Sequence, residues 1–151
     1  MFLKKQILFV CLALLLQGCG GDQGDRRPTA RTTVTVNYKG APVEGATVQF
    51  VTVDDPKPST GITDKSGQCS LSTYEANDGA IIGSNLIMIS KTAVDERNVR
   101  PVRPEDADMV GVIPPPILKN LIPAKYALPA TSGLQEEVKK GQNTFTFDLQ
   151  D

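Results

Sequence analysis

The stretch Thr32-Thr33-Val34-Thr35-Val36-Asn37-Tyr38, followed by Lys39-Gly40-Ala41-Pro42, decides how the chain is read. Val34, Val36 and Tyr38 alternate with Thr33, Thr35 and Asn37, a period of two that gives a strand one apolar and one polar face. The turn at Lys39–Pro42 and a second bend at Glu44-Gly45 lead into another strand, Ala46 to Val53. Asp54-Asp55-Pro56-Lys57-Pro58 cannot continue a ladder, because proline lacks the N–H donor and restricts the residue before it. Thr60 to Thr63 reads as a short strand. Asp64-Lys65-Ser66-Gly67 reads as a tight hairpin turn that Asp64 caps with its own carboxylate.

Further along, Gln68 to Thr73 forms the returning strand, and Tyr74 to Ala80 is a polar connection with Asn77-Asp78-Gly79 at its tip. Asn85-Leu86-Ile87-Met88-Ile89-Ser90 is apolar on both faces, which predicts a central strand covered on each side. Leu134, Glu136 and Val138 alternate with Gln135, Glu137 and Lys139. Lys140-Gly141 then turns the chain into Thr144 to Leu149, where Phe145, Phe147 and Leu149 share a face. The sum is seven short strands joined by Gly, Pro and Asp turns, with no amphipathic helix. That pattern predicts an all-β fold, an antiparallel seven-stranded β-sandwich of about a hundred residues. Its inner faces are expected to hold Val34, Val36, Val48, Phe50, Cys69, Leu71, Phe145 and Phe147.

Outside the strands, the N-terminus carries an address. Lys4 and Lys5 precede an apolar run of ten residues, Ile7 to Leu16, about half of the roughly 20 needed to cross a bilayer. Leu16-Gln17-Gly18-Cys19 then follows the bacterial lipobox pattern, with a small residue before the cysteine to be acylated. Residues 1–18 are therefore expected to be a lipoprotein signal peptide and Cys19 the lipidation site, carrying palmitate-type acyl chains. Residues 19–31 are polar and rich in Gly, Asp and Arg, and read as a flexible tether. The sandwich is expected over 32–150, interrupted by a long insertion at 92–122. There Arg97, Arg100 and Arg103 precede Glu105, Asp106 and Asp108, and Met109-Val110-Gly111-Val112-Ile113 and Pro114-Pro115-Pro116 follow. A connection that long is usually functional or disordered, and triple proline favours an extended polyproline II path. Val112, Ile113, Ile117 and Leu118 are apolar enough to be expected along the sandwich surface.

Composition narrows the chemistry. The net charge is −1 and becomes more acidic once Lys4 and Lys5 are removed, with both signs well mixed, so no nucleic-acid partner is implied. The sequence contains no histidine, which removes Ser-His-Asp and Cys-His catalysis, the usual zinc sites and the commonest general base near neutral pH. Of the three cysteines, Cys11 leaves with the signal, Cys19 takes lipid, and Cys69 is in phase with Leu71 and reads as a buried inert thiol. Asp54-Asp55 and Glu105-Asp106-Ala107-Asp108 lack the alternating oxygen spacing of a calcium loop and read as solvated loop charge. Glu136 and Glu137 point to opposite faces of one strand, so they are not a catalytic pair. There is no tryptophan. Tyr74 and Tyr126 are the rings left for the surface, each reading as a packing or corner tyrosine. No catalytic, cofactor-binding or metal-binding residue is assigned.

Three stretches carry a family resemblance. Asn37-Tyr38-Lys39-Gly40-Ala41-Pro42-Val43-Glu44-Gly45-Ala46-Thr47-Val48 resembles the first hairpin of carboxypeptidase-regulatory-like (transthyretin-like) domains, with its G-x-P-V-x-G-A-x-V turn. Thr60-Gly61-Ile62-Thr63-Asp64-Lys65-Ser66-Gly67-Gln68 resembles their second, G-x-T-D-x-x-G hairpin. Ile122-Pro123-Ala124-Lys125-Tyr126, Thr131-Ser132-Gly133-Leu134 and Phe145–Leu149 resemble a group of small bacterial lipoproteins built on that domain. The likeness runs from about Thr32 to Leu149. It implies a prealbumin-like, Ig-like Greek-key sandwich on the outer side of a membrane, and it brings no catalytic motif to transfer. Two enzyme families related to that fold, hydroxyisourate hydrolases and intradiol dioxygenases, rely on histidines that this chain lacks.

The expectation is thus a lipid-anchored cell-envelope module facing periplasm or exterior, non-enzymatic and structural or protein-binding. The alternative is a module for an envelope glycan or small ligand, and the third reading is an enzyme of unfamiliar mechanism. The membrane, reached through the lipid, is the one partner that the sequence itself names. An envelope protein or glycan is the expected second partner, and the oligomeric state is not legible.

Overall fold

The computed structural model describes residues 26–55, 57–98 and 117–151. Cys19, the signal segment, Arg100, Arg103, Glu105–Asp108, Met109–Ile113 and Pro114–Pro116 lie outside the described residues.

The protein is all-β. Its strands, in chain order, are β1 (Thr29–Ala30), β2 (Thr32–Tyr38), β3 (Ala41–Pro42), β4 (Thr47–Thr52), β5 (Ser59–Ile62) and β6 (Gln68–Ser70). They continue with β7 (Ala80–Ile81), β8 (Gly83–Ser90), β9 (Thr92–Val94), β10 (Leu118–Asn120), β11 (Leu134–Val138) and β12 (Asn143–Leu149). The alternating runs fall on β2, β4, β8, β11 and β12. The described residues thus hold more strands than the seven expected, the additions being short pieces of two or three residues. Among the described residues, helix is limited to 3-10 turns at Glu96–Asn98 and Ala124–Ala127 and one α-turn at Pro129–Ser132.

Two sheets form the body, neither of them closed. One has the order β11-β8-β4-β5, all antiparallel. The other is built on β2, which pairs antiparallel with β3 and β6 on one side. Its other neighbour, β12, is parallel to it over seven residue pairs, Asn143↔Thr32 to Leu149↔Tyr38. The all-antiparallel expectation fails here. Strand alternation carries no direction, and two strands so far apart in sequence need no tight turn between them. The turns also do more than fold hairpins. β5 and β6 lie in different sheets, as do β11 and β12, so Asp64–Gly67 and Lys140-Gly141 hand the chain from one layer to the other.

The sheets face each other through their apolar positions. Val34, Val36, Phe147 and Leu149 from one meet Val48, Phe50, Ile87, Ile89 and Val138 from the other in one buried cluster. The Phe50 ring centroid lies 5.7 Å from that of Phe145 and 6.3 Å from that of Phe147. Seven of the eight expected core residues are buried; Phe145 is the exception and is half-buried. It sits on β12, an edge strand with β2 as its one paired neighbour among the described residues. The expectation for β8 needs a second correction. It is central, but its outer-face residues Leu86 and Met88 are half-buried, beside Gln135, Val51 and Gln49 in register.

Since β2 and β12 run together, the molecule has one pole where both begin and an opposite pole where both end. The chain arrives at the first. Arg26–Arg31, expected within the tether, are built into the fold there. β1 pairs with β7, Ala30 is buried, and Arg26 bridges Glu75 at 3.1 Å. At the opposite pole β8 runs on into β9, which pairs with β10 as a separate two-stranded ribbon forming the described base of the 92–122 insertion. Ile117 and Leu118, expected against the sandwich, are 55% and 57% exposed, on a ribbon that pairs with no other strand among the described residues.

Candidate functional site

Among the described residues, a hollow of about 460 Å³ lies at the pole where β2 and β12 start. Its lining is Arg31, Thr32, Thr33, Ser70, Asn77, Gln142, Asn143 and Thr144. Ser70, Thr33 and Thr144 come from β6, β2 and β12 in one register row, so their side chains share the outer face of the sheet. Thr32 points the other way, buried, with its hydroxyl donating to the Ala30 carbonyl at 2.8 Å.

Two side-chain clamps fix the rims. On one rim the Asp78 carboxylate accepts the backbone N–H groups of Thr73 at 2.7 Å, Tyr74 at 2.9 Å and Glu75 at 3.1 Å. That closes the 73–78 loop on itself and leaves Asn77 in the left-handed region at φ 59°, a conformation that asparagine tolerates better than most residues. On the other rim the Asn143 amide accepts the Lys139 N–H at 3.0 Å and donates to the Lys139 carbonyl at 2.8 Å. The turn that carries Gln142 is thereby held, and the Asn143 N–H donates to the Arg31 carbonyl at 2.9 Å. Sequence reading noticed Asn77-Asp78-Gly79 as a loop tip and missed both clamps. Asp64, by contrast, behaves as read: it accepts the Ser66 hydroxyl and the N–H groups of Ser66 and Gln68, which hold its carboxyl below the usual range.

Cys69 lies under this sheet, buried. Burial, with a smaller contribution from the Asp64 charge, pushes its thiol up to about 11. Almost no thiolate exists at neutral pH, so Cys69 is a poor nucleophile and a poor soft-metal ligand. The expected outcome of treating folded protein with iodoacetamide at pH 8 is an unmodified Cys69 peptide by mass spectrometry, with full alkylation in urea. Equal modification in both conditions would contradict the burial described.

The other groups singled out by sequence do not converge. Asp54 and Asp55 lie in an exposed turn, where Asp55 accepts the Lys57 N–H at 2.9 Å. Glu136 and Glu137 alternate along β11. Among the described residues no three His, Cys, Asp or Glu side chains come together as a metal site. Tyr126 is a buried packing tyrosine whose hydroxyl donates to the Gln150 carbonyl at 3.1 Å and accepts the Gln150 N–H at 3.0 Å. Tyr74 is half-buried, with the Arg26 guanidinium 5.4 Å and the Lys57 ammonium 4.6 Å from its ring centre. At the opposite pole Tyr38 and Lys39 meet Asp151. The hydrogen bond from Tyr38, and then that from Lys39, holds the Asp151 carboxyl low, and Asp151 in turn raises Lys39.

No family model and no curated protein matches the chain. Among solved structures, a 9R-lipoxygenase from Cyanothece superposes with a TM-score of 0.39 at 12% identity, over 97% of this chain and 20% of that one. A DUF3823 family protein from Parabacteroides merdae gives 0.35 at 11% identity, over 82% of this chain and 47% of that one. The chain spans between a fifth and about half of the length of these proteins, and likenesses this distant carry no argument about activity.

Proposed function

We propose that the protein is a lipid-anchored β-sandwich of the bacterial cell envelope, acylated at Cys19 and acting as a non-enzymatic structural or protein-interaction module. The observation that carries this reading is the lipobox Leu16-Gln17-Gly18-Cys19 directly after a ten-residue apolar run. A single acyl chain gives only marginal membrane binding, and maturation of a lipobox cysteine supplies more than one. The absence of histidine from the sequence and the high thiol pKa of Cys69 leave few groups able to act as nucleophile or base near neutral pH. The finer assignment, a prealbumin-like Greek-key sandwich, rests on the Gly40–Val48 and Gly61–Gly67 motifs, and the turn in the second passes the chain between layers.

Replacement of Cys19 by alanine followed by cell fractionation tests the anchor. The expected outcome is loss of membrane association together with loss of the acyl mass. Unchanged partitioning and unchanged mass would reject Cys19 as the anchor.

A further inference from the structure

We propose that the hollow between the 73–78 loop and the 139–143 turn is a binding site for an acidic oligosaccharide, a short chain of sugar rings bearing carboxylate groups. This goes beyond the module reading and does not depend on the anchor. The floor offers the hydroxyls of Ser70, Thr33 and Thr144 from adjacent strands of one row, a span of about 10 Å at the usual strand spacing. The rims add the amides of Asn77 and Gln142. Among the described residues none of these five side chains has a hydrogen-bond partner, so each offers both donor and acceptor capacity to a ligand.

That mixture separates candidate ligands. A bare anion uses donors only, whereas sugar hydroxyls both donate and accept and so match every group in the row. Arg31 supplies the only formal charge in the lining, and no carboxylate lines the hollow, so the complementary ligand is negatively charged. The volume falls within the range of small-molecule sites. The rims are already held by Asp78 and Asn143, so binding orders little that is not ordered in advance.

Isothermal titration of the full-length protein in detergent micelles tests the proposal with four probes: an oligogalacturonate, a neutral oligosaccharide of equal length, a polyglutamate peptide and inorganic phosphate. The expected result is binding of the oligogalacturonate, weakened by added salt, with the neutral sugar, the peptide and phosphate at least tenfold weaker. Arg31→Gln should weaken oligogalacturonate binding about tenfold or more, since a charge-assisted hydrogen bond is lost. Thr144→Val should weaken it a few-fold, and Lys119→Gln on the distant ribbon, with the same change of charge, should leave it unchanged. Comparable binding of phosphate would make the hollow a plain anion site, and comparable binding of the peptide would make it a protein-docking surface. Comparable binding of the neutral sugar would remove the role given to Arg31. Any of these, absence of binding, or an equal effect of Lys119→Gln, overturns the proposal.

Discussion

Replacing Phe50 by alanine is expected to destabilise the protein by about 3–5 kcal/mol, a large part of what a domain of this size possesses. Phe50 is 1% exposed and stands where the two sheets meet, its ring set against Phe145 and Phe147. Truncation removes the ring's buried area and leaves a cavity that strands locked in two ladders cannot collapse to fill. Phe145→Ala is the internal comparison, because that half-buried ring on an edge strand should cost clearly less. Thermal or urea unfolding of the two variants measures the difference. Equal midpoints would mean that Phe50 does not occupy the contact between the layers.

Gly79→Ala is the second large effect. A Cβ at Gly79 would fall 1.8 Å from the Ala30 carbonyl oxygen and 2.4 Å from its carbonyl carbon, and the residue has φ +95°. The left-handed conformation alone costs roughly 1–3 kcal/mol for an alanine. The clash is with backbone in the β1–β7 pair, which no rotamer change relieves, and overpacking adds roughly 1–3 kcal/mol or more. A loss of about 4 kcal/mol follows, with displacement of β1 from β7. Gly141→Ala separates the two causes: it shares a positive φ, +101°, but a Cβ there meets nothing within 4 Å. Its urea midpoint should fall by the strain alone. Were Gly79→Ala no worse than Gly141→Ala, the close approach at Ala30 would be wrong.

How far the sequence could be read depended on which physical quantity each feature expresses. Burial phase is written in alternation, so Val34, Val36, Val48, Phe50 and Phe147 were legible one by one. Turn chemistry is local, so Asp64 was legible as the cap of its own turn. β8 was only half legible: Leu86, Ile87, Met88 and Ile89 are all apolar, and a two-fold pattern without contrast cannot say which pair faces the partner sheet. Ile87 and Ile89 do, joined on that face by the buried Asn85, whose amide donates to the Ile81 and Gly83 carbonyls at 3.0 and 2.8 Å. Strand direction was not legible at all, which is why the parallel β2–β12 pair was missed. The candidate site was mostly hidden for a related reason. Ser70, Thr33 and Thr144 are ordinary surface residues until three strands align them, and Asp78 and Asn143 act on backbone groups whose positions depend on the finished fold.

The parallel β2–β12 ladder also sets an order of events in time. The β2 partner residues 32–38 are made long before 143–149, with which they share the whole length of one edge. β2 therefore stays without that neighbour until residues 143–149, more than a hundred positions later in the chain, have reached it. During that interval only the short strands β3 and β6 are available to pair with it, both on its other side. An edge carrying Val34 and Val36 stays open to any other extended chain nearby, the hazard typical of unpaired strands. Whatever keeps this chain from joining a neighbour must therefore act before residues 143–149 have docked, when the stability of the finished fold offers it no protection.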